Sequence, residues 1–451
     1  MQTKAKPTDH VEPAEGSTQR MIWAIAVGNC LELYDFTLFG YFSVVLAKVF
    51  FPAADPFTSL LLTLSTFGVG FVTRPLGGIL FGAYADRKSR RHAMMVTMGL
   101  MSVGTGIMAA CPGYAAIGVA APVILVIGRL IQGLGMGGEV GPTATLLFEL
   151  GSDRRRVLFV SIFAASQGAS ALLGGLTGYG LSVLFSPEAI SEGAWRLPFL
   201  LGLLLGPIGL YLRNAVPDTD GRHVVQRFPI RRLMSYHKRT LASGFLLFLS
   251  GTASMYVVVL YIPTYLTGVI GVPPRTAFLA GCVAGSVMAV GSLVGGLLAD
   301  RFQIQRLLAL GAVGTSTILI IPAFRLLQGA PGLGAILAIV AVLSALNALQ
   351  AGSVLSLILQ SFPAGLRATG LALVYSSGVI VGGFGQVFVT ALIKLTADTA
   401  APGFYMIGCS FLTATALVAG MIGNRRTAAE PGSHLTRTNV HPITGGRTRR
   451  G

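Results

Sequence analysis

Gly82-Ala83-Tyr84-Ala85-Asp86-Arg87 is echoed 214 residues later by Gly296-Leu297-Leu298-Ala299-Asp300-Arg301. Each copy closes a long apolar stretch, and each is followed by bases: Lys88, Arg90 and Arg91 after the first, Arg306 after the second. In a chain of 451 residues that interval is about half the length. An Asp-Arg pair recurring at half-length, each time where an apolar stretch ends, indicates two similar halves related by internal duplication.

Outward from this pair, hydropathy divides the chain into twelve apolar stretches, at 22–47, 58–85, 94–112, 118–149, 157–184, 195–214, 240–267, 276–299, 307–328, 333–360, 368–396 and 403–424. At about 1.5 Å per helical residue, each can cross a hydrocarbon core of about 30 Å, some with tilt. The expected fold is an all-α membrane protein with twelve transmembrane helices in two six-helix pseudo-repeats. The expected organisation is a tail at 1–20, a first half at 21–213, a basic central loop at 214–239, a second half at 240–424 and a basic tail at 425–451. Composition agrees: 53% of residues are hydrophobic and 11% charged, against about a quarter charged in soluble domains. The 59 glycines suit helices packed closely in lipid.

A formal charge of +16 raises the question of nucleic acid, but the bases sit in short blocks between apolar stretches. Of 33 Lys and Arg, 26 fall on the side that holds both termini and five near helix ends on the other. That asymmetry orients a membrane protein with both termini in the cytoplasm; no nucleic-acid partner is expected, and the only macromolecular surroundings implied are membrane lipid. The cysteines (Cys30, Cys111, Cys282, Cys409) lie singly in apolar stretches, and all six histidines lie in loops or tails. Neither pattern makes a metal site, so no cofactor and no enzyme are expected. The polar first 20 residues resemble no cleavable leader.

The two remaining bases lie inside the apolar stretches: Arg74 in the second and Arg129 in the fourth. A charge at mid-membrane costs several kcal/mol and demands a partner or a role. A guanidinium fork matches a carboxylate bidentately, so these two are candidate anion-binding groups, against the alternative of structural pairs. Glu32 and Asp35 lie three apart on one helix face. Two carboxylates that close in low dielectric resist joint ionisation, which makes them a candidate proton-carrying pair. Glu139 is a further proton candidate, its rival role being a gate-side ion pair, and Gln132 a candidate substrate contact.

The Gly82–Arg91 element resembles the loop signature of the major facilitator superfamily, with Ser89 where that family usually has glycine. Gly28-Asn29-Cys30-Leu31-Glu32-Leu33-Tyr34-Asp35-Phe36 is similar to the first-helix signature of its metabolite–proton symporter branch. So are Arg74-Pro75-Leu76-Gly77-Gly78, Trp195-Arg196-Leu197-Pro198-Phe199 and the run from Arg129 through Gln132 and Gly133 to Gly137-Gly138-Glu139. Scaffold and loop residues such as Ala47-Lys48-Val49-Phe50-Phe51-Pro52 and Ile190-Ser191-Glu192 resemble the citrate and tricarballylate symporters, though the citrate members differ from this chain near Glu139.

The resemblance implies a monomeric inner-membrane carrier moving a small organic anion with protons by alternating access. Citrate or a related tricarboxylate is the first expectation, with a dicarboxylate, a shikimate-like or aromatic acid or a zwitterionic osmolyte as alternatives. It also implies a conformational latch at the cytoplasmic helix ends, built from Asp86, Arg87, Arg90, Arg91, Glu149 and Asp300. There an Asp faces a neighbouring helix N-terminus and an Arg faces an acid.

Overall fold

A computed structural model describes residues 15–87, 90–152, 154–214 and 229–429. Helices and turns account for all the described elements, with no strand among them. Among the described residues, ten helices are long and apolar enough to cross a membrane. With the shorter apolar Met95–Ala110 and the helix Arg196–Asn214, these make twelve crossings.

Span one is Glu15–Tyr41, followed past Phe42 by the short helix Ser43–Phe50. Span two comes in two pieces, Pro56–Val72 and Arg74–Arg87. Span three is Arg90–Ala110, and span four is again divided, Ala120–Met136 and Val140–Leu150. Spans five and six are Arg156–Leu184 and Arg196–Asn214. Span seven, Lys238–Ser254, continues into the wider turns of Met255–Leu260. Spans eight to twelve are Pro274–Phe302, Gln305–Gln328, Leu333–Gln360, Arg367–Thr396 and Pro402–Ala429. The central loop, a polar interruption by hydropathy, contains a helix at Pro229–Tyr236.

The breaks follow from the sequence. Pro75 has no N–H to offer the turn before it, so span two yields at Thr73. Thr73 then spends its hydroxyl across the gap, donating to the Leu130 carbonyl of span four at 3.0 Å. Span four yields at Gly137-Gly138-Glu139, where two glycines forfeit helix propensity.

Small residues set how closely the helices approach. A Cβ added at Gly168 of span five would lie 2.3 Å from the Ala289 nitrogen of span eight, and one at Gly285 would lie 2.2 Å from the Leu172 nitrogen. The two halves therefore meet backbone to backbone along spans five and eight, where van der Waals contact replaces a hydrophobic driving force. Within the first half, a Cβ at Gly133 would lie 1.8 Å from the Gly70 carbonyl oxygen, and one at Gly137 would lie 1.9 Å from that of Arg74. This close approach fixes span two against span four, and with it the two intramembrane arginines.

Candidate functional site

Between the halves lies a cavity of about 70 Å³. Span one lines it with Leu33, Phe36 and Thr37, span two with Arg74, and span five with Phe163 and Gln167. The second half contributes Tyr256, Met288, Asn347 and Tyr375 among others. Arg74 is 2% exposed, and among the described residues its three guanidinium nitrogens close no hydrogen bond of good geometry. It rests on aromatic faces, 4.2 Å from the centre of the Phe71 ring and 4.7 Å from that of Phe36, with the Tyr256 and Tyr375 hydroxyls in electrostatic reach. Ring faces and phenols balance a cation only in part. Arg74 thus presents unfilled donors to a cavity that a carboxylate would complete.

Across the same cavity the halves touch through polar side chains. Gln167 donates to the Tyr375 hydroxyl at 3.2 Å. Asn347 is anchored within the second half, its amide nitrogen 3.6 Å from the Met288 sulfur and its oxygen accepting from Gln350 at 3.4 Å.

Arg129 and Gln132 are wholly buried but are not among the residues lining this cavity. They belong to a chain of contacts inside the first half. The Arg129 guanidinium donates to the Gln132 oxygen at 2.8 Å, and the Gln132 amide donates to Thr105 at 2.8 Å. Thr105 in turn donates to the Asp35 carboxylate through Oδ2. Arg129 also stacks on Phe39, its guanidinium carbon 3.8 Å from the ring centre. Gly104 makes the chain possible: a Cβ there would strike Gln132 Cγ at 2.4 Å. Glu32 and Asp35 are both 7% exposed and share the face of span one turned away from the cavity. Glu139 stands apart, in the break of span four, where it accepts from Thr97 of span three at 2.8 Å.

A bundle of this topology, with a cavity at the seam of two six-helix halves, invites comparison with known proteins. The sequence profile of the Major Facilitator Superfamily matches residues 25–386, most of the chain. The chain belongs to the major facilitator superfamily. Superfamily relatives include the citrate-proton symporter of Salmonella typhi, 32% identical over 91% of this chain and 96% of its own length. They also include the proline/betaine transporter of Salmonella typhimurium, 29% identical over 92% of this chain and 85% of its own. In fold, the crystal structure of a D-xylose-proton symporter superposes with a TM-score of 0.69 at 17% identity, covering 89% of this chain and 96% of the other. The chain is accordingly a multi-pass membrane transporter of this superfamily, whose members among these relatives are carriers and not enzymes.

The helix ends expected to carry a latch are described in part. Asp300, at the end of span eight, accepts from the Val157 nitrogen at 3.2 Å and from the Leu158 nitrogen at 2.8 Å. It thereby caps the N-terminus of span five, where exposed N–H groups favour a negative charge. The side chains of Asp86, Arg87, Arg90 and Arg91 lie outside the described residues, and Glu149 is exposed. On the opposite face Lys394, ending span eleven, bonds Asp55 at 2.5 Å and Thr58 at 2.9 Å, both at the start of span two. The bonds from Lys394 and Thr58 hold the Asp55 carboxyl down to about 2. Contacts between the halves therefore stand at both ends of the cavity.

Sequence reading singled out neither Thr105 nor Tyr375 as a bonding partner. A hydroxyl in an apolar helix is common, and nothing in its spacing reveals that it bridges an amide and an acid.

Proposed function

We propose that the chain is a secondary active carrier that moves a small organic anion together with protons by alternating access, with citrate or a related tricarboxylate the first candidate. The observation that carries this reading is Arg74, a buried guanidinium with unfilled donors on a cavity between two halves that contact each other at both ends. In this reading Arg74 takes a substrate carboxylate, while Asn347, Gln167 and the Tyr375 hydroxyl offer further hydrogen bonds. Arg129, Gln132 and Thr105 act behind it, linking the substrate arginine to the proton-carrying acid Asp35. Glu32 shares the proton with Asp35, and Glu139 serves the break in span four. The excess of basic residues on the terminus side supports insertion in a bacterial inner membrane with both termini in the cytoplasm. Asp300 and Asp86 then belong to the latch on that side.

The mechanism follows from charge. Two buried guanidinium groups close to one another raise the cost of an empty site, and an anion lowers it. Protonation of Asp35 removes the negative charge that faces Arg129 and frees the positive field for the substrate. Release of the proton restores the internal pair and expels the anion. The halves rock about the midplane site, exchanging the Asp55–Lys394 contact on one face for the Asp300 cap on the other.

A second reading has its own support. One guanidinium lines the cavity, and aromatic rings make up much of the remaining wall. That lining suits a monocarboxylate or a zwitterion, such as the substrates named for the proline/betaine relatives, better than three carboxylates. Uptake of radiolabelled citrate into proteoliposomes under an imposed pH gradient, with competition by a panel of carboxylates and betaines, tests both. Gradient-stimulated citrate uptake that betaine leaves untouched supports the first reading. Uptake of betaine without citrate replaces it with the second, and transport indifferent to the gradient removes proton coupling.

A further inference from the structure

The acids of span one face a second opening, separate from the substrate cavity. It measures about 30 Å³ and lies between spans one, three and six, lined by Glu32, Asp35, Ser102, Gly202 and Gly206 among others. By volume that is room for about two water molecules. Span one divides the two spaces by helical phase: Leu33, Phe36 and Thr37 face the substrate cavity, while Glu32 and Asp35 face the opening.

Two further observations point to water there. Asp35 Oδ2 is taken by Thr105, but Oδ1 is buried with no hydrogen-bond partner among the described residues. A buried carboxylate oxygen left bare is costly, and the small opening it faces is where a water would satisfy it. The opening also exists because of two glycines. A Cβ at Gly202 would lie 2.2 Å from Asp35 Oδ1, and one at Gly206 would lie 2.8 Å from Ser102 Oγ. Any other residue at Gly202 would occupy the space in front of the acid. Of its lining residues, Met98 and Gly206 lie on the side of Asp35 nearer the helix ends at Arg90 and Asn214.

We infer that protons reach Asp35 through this hydrated slot between spans one, three and six, and not through the substrate cavity. The inference rests on the reading of Asp35 as the coupling acid and adds its route. The charged groups around Asp35 are Glu32 on its own span and Arg129 from span four, with Arg74 of span two beyond Arg129. Spans three and six bring it no charged side chain among the described residues, so the slot itself is lined by neutral groups apart from the two acids. A separate route explains how one carrier keeps the proton and the anion from competing for one path: each has its own face of span one.

The test uses the full chain in proteoliposomes. Ser102→Cys, half-buried at the slot, should react with the water-soluble cation methanethiosulfonate ethylammonium at least tenfold faster than the wild type, whose four described cysteines are buried. Gly202→Ala and Gly206→Ala should each keep citrate counterflow, which needs no net proton movement, and lose about tenfold of uptake driven by a pH gradient. Ser102→Cys labelling no faster than the wild-type background overturns the route, as does full gradient-driven uptake in both glycine variants. Parallel loss of counterflow and driven uptake in both variants makes the slot structural and also overturns it. A wild type indifferent to the gradient removes the symport reading and this route together. A dry slot in a gradient-driven wild type removes the route alone.

Discussion

Arg74 and Arg129 share one aromatic ring: their guanidinium carbons lie 4.7 and 5.2 Å from the centre of Phe36. Yet Arg74 lines the cavity between the halves and Arg129 does not. One phenyl ring thus contacts both the cation that lines the cavity and the cation that interacts with Asp35. In the proposed mechanism a change of charge at one guanidinium is felt at the other across this shared ring, so that a proton and an anion are linked without touching.

Removing the hydroxyl that joins Gln132 to Asp35 should uncouple transport. Thr105→Val leaves the Gln132 amide and the Asp35 carboxylate each short of a buried partner, a loss of about 1–3 kcal/mol. Thr105→Ser keeps the bonds. Gradient stimulation of uptake should fall severalfold in the valine variant and persist in the serine variant, as measured beside thermal unfolding of the purified proteins. Equal stimulation in both would detach the hydroxyl from coupling.

The backbone contact of spans five and eight makes a sharp stability prediction. Gly285→Ala puts a methyl 2.2 Å from the Leu172 nitrogen, where backbone must shift. Overpacking of this kind costs about 1–3 kcal/mol. Gly314→Ala in span nine meets nothing within 4 Å and gains helix propensity, so it should be neutral or stabilising. The unfolding temperature should fall in Gly285→Ala and stay level or rise in Gly314→Ala.

The Asp55–Lys394 pair fixes a pH window. Because the carboxyl is held down to about 2, the pair contributes fully above the free carboxylate value of about 4. It is lost only as pH falls through the lowered value, since protonation must then remove a charge that the closed form uses. Between pH 5 and 8 this contact is constant, so pH dependence of transport in that range should survive Asp55→Asn. The same substitution should open that face a fewfold more often, because exposed pairs are weak. Distances between spin labels placed beside spans two and eleven would register the shift.

Much of the architecture is legible in the sequence, for reasons that are physical. Twelve stretches long enough to span lipid, an Asp-Arg pair repeated at half-length, and bases gathered on one side follow from what a bilayer tolerates. Arg74, Arg129, Glu32 and Asp35 were visible because a charge stands out against an apolar background. Which of the two arginines meets the cavity was not visible. That depends on helix rotation, set by the backbone approach at Gly133 and Gly137 and by the break at Thr73, and no hydropathy pattern encodes it. Thr105 and Gly202 were hidden for a related reason: each is an ordinary residue whose importance comes only from the side chain opposite.

The proposed mechanism turns on the Arg74 guanidinium taking the carboxylate of the substrate. Thermal unfolding of the purified wild type and of Arg74→Gln and Arg74→Lys, each with a panel of organic acids, tests it most directly, because a ligand that binds only the folded state stabilises it. Citrate, or whichever acid stabilises the wild type, should fail to stabilise the glutamine variant. It should do so at least tenfold more weakly in the lysine variant, which lacks the planar fork. Undiminished stabilisation of Arg74→Gln by the same acid would contradict the account.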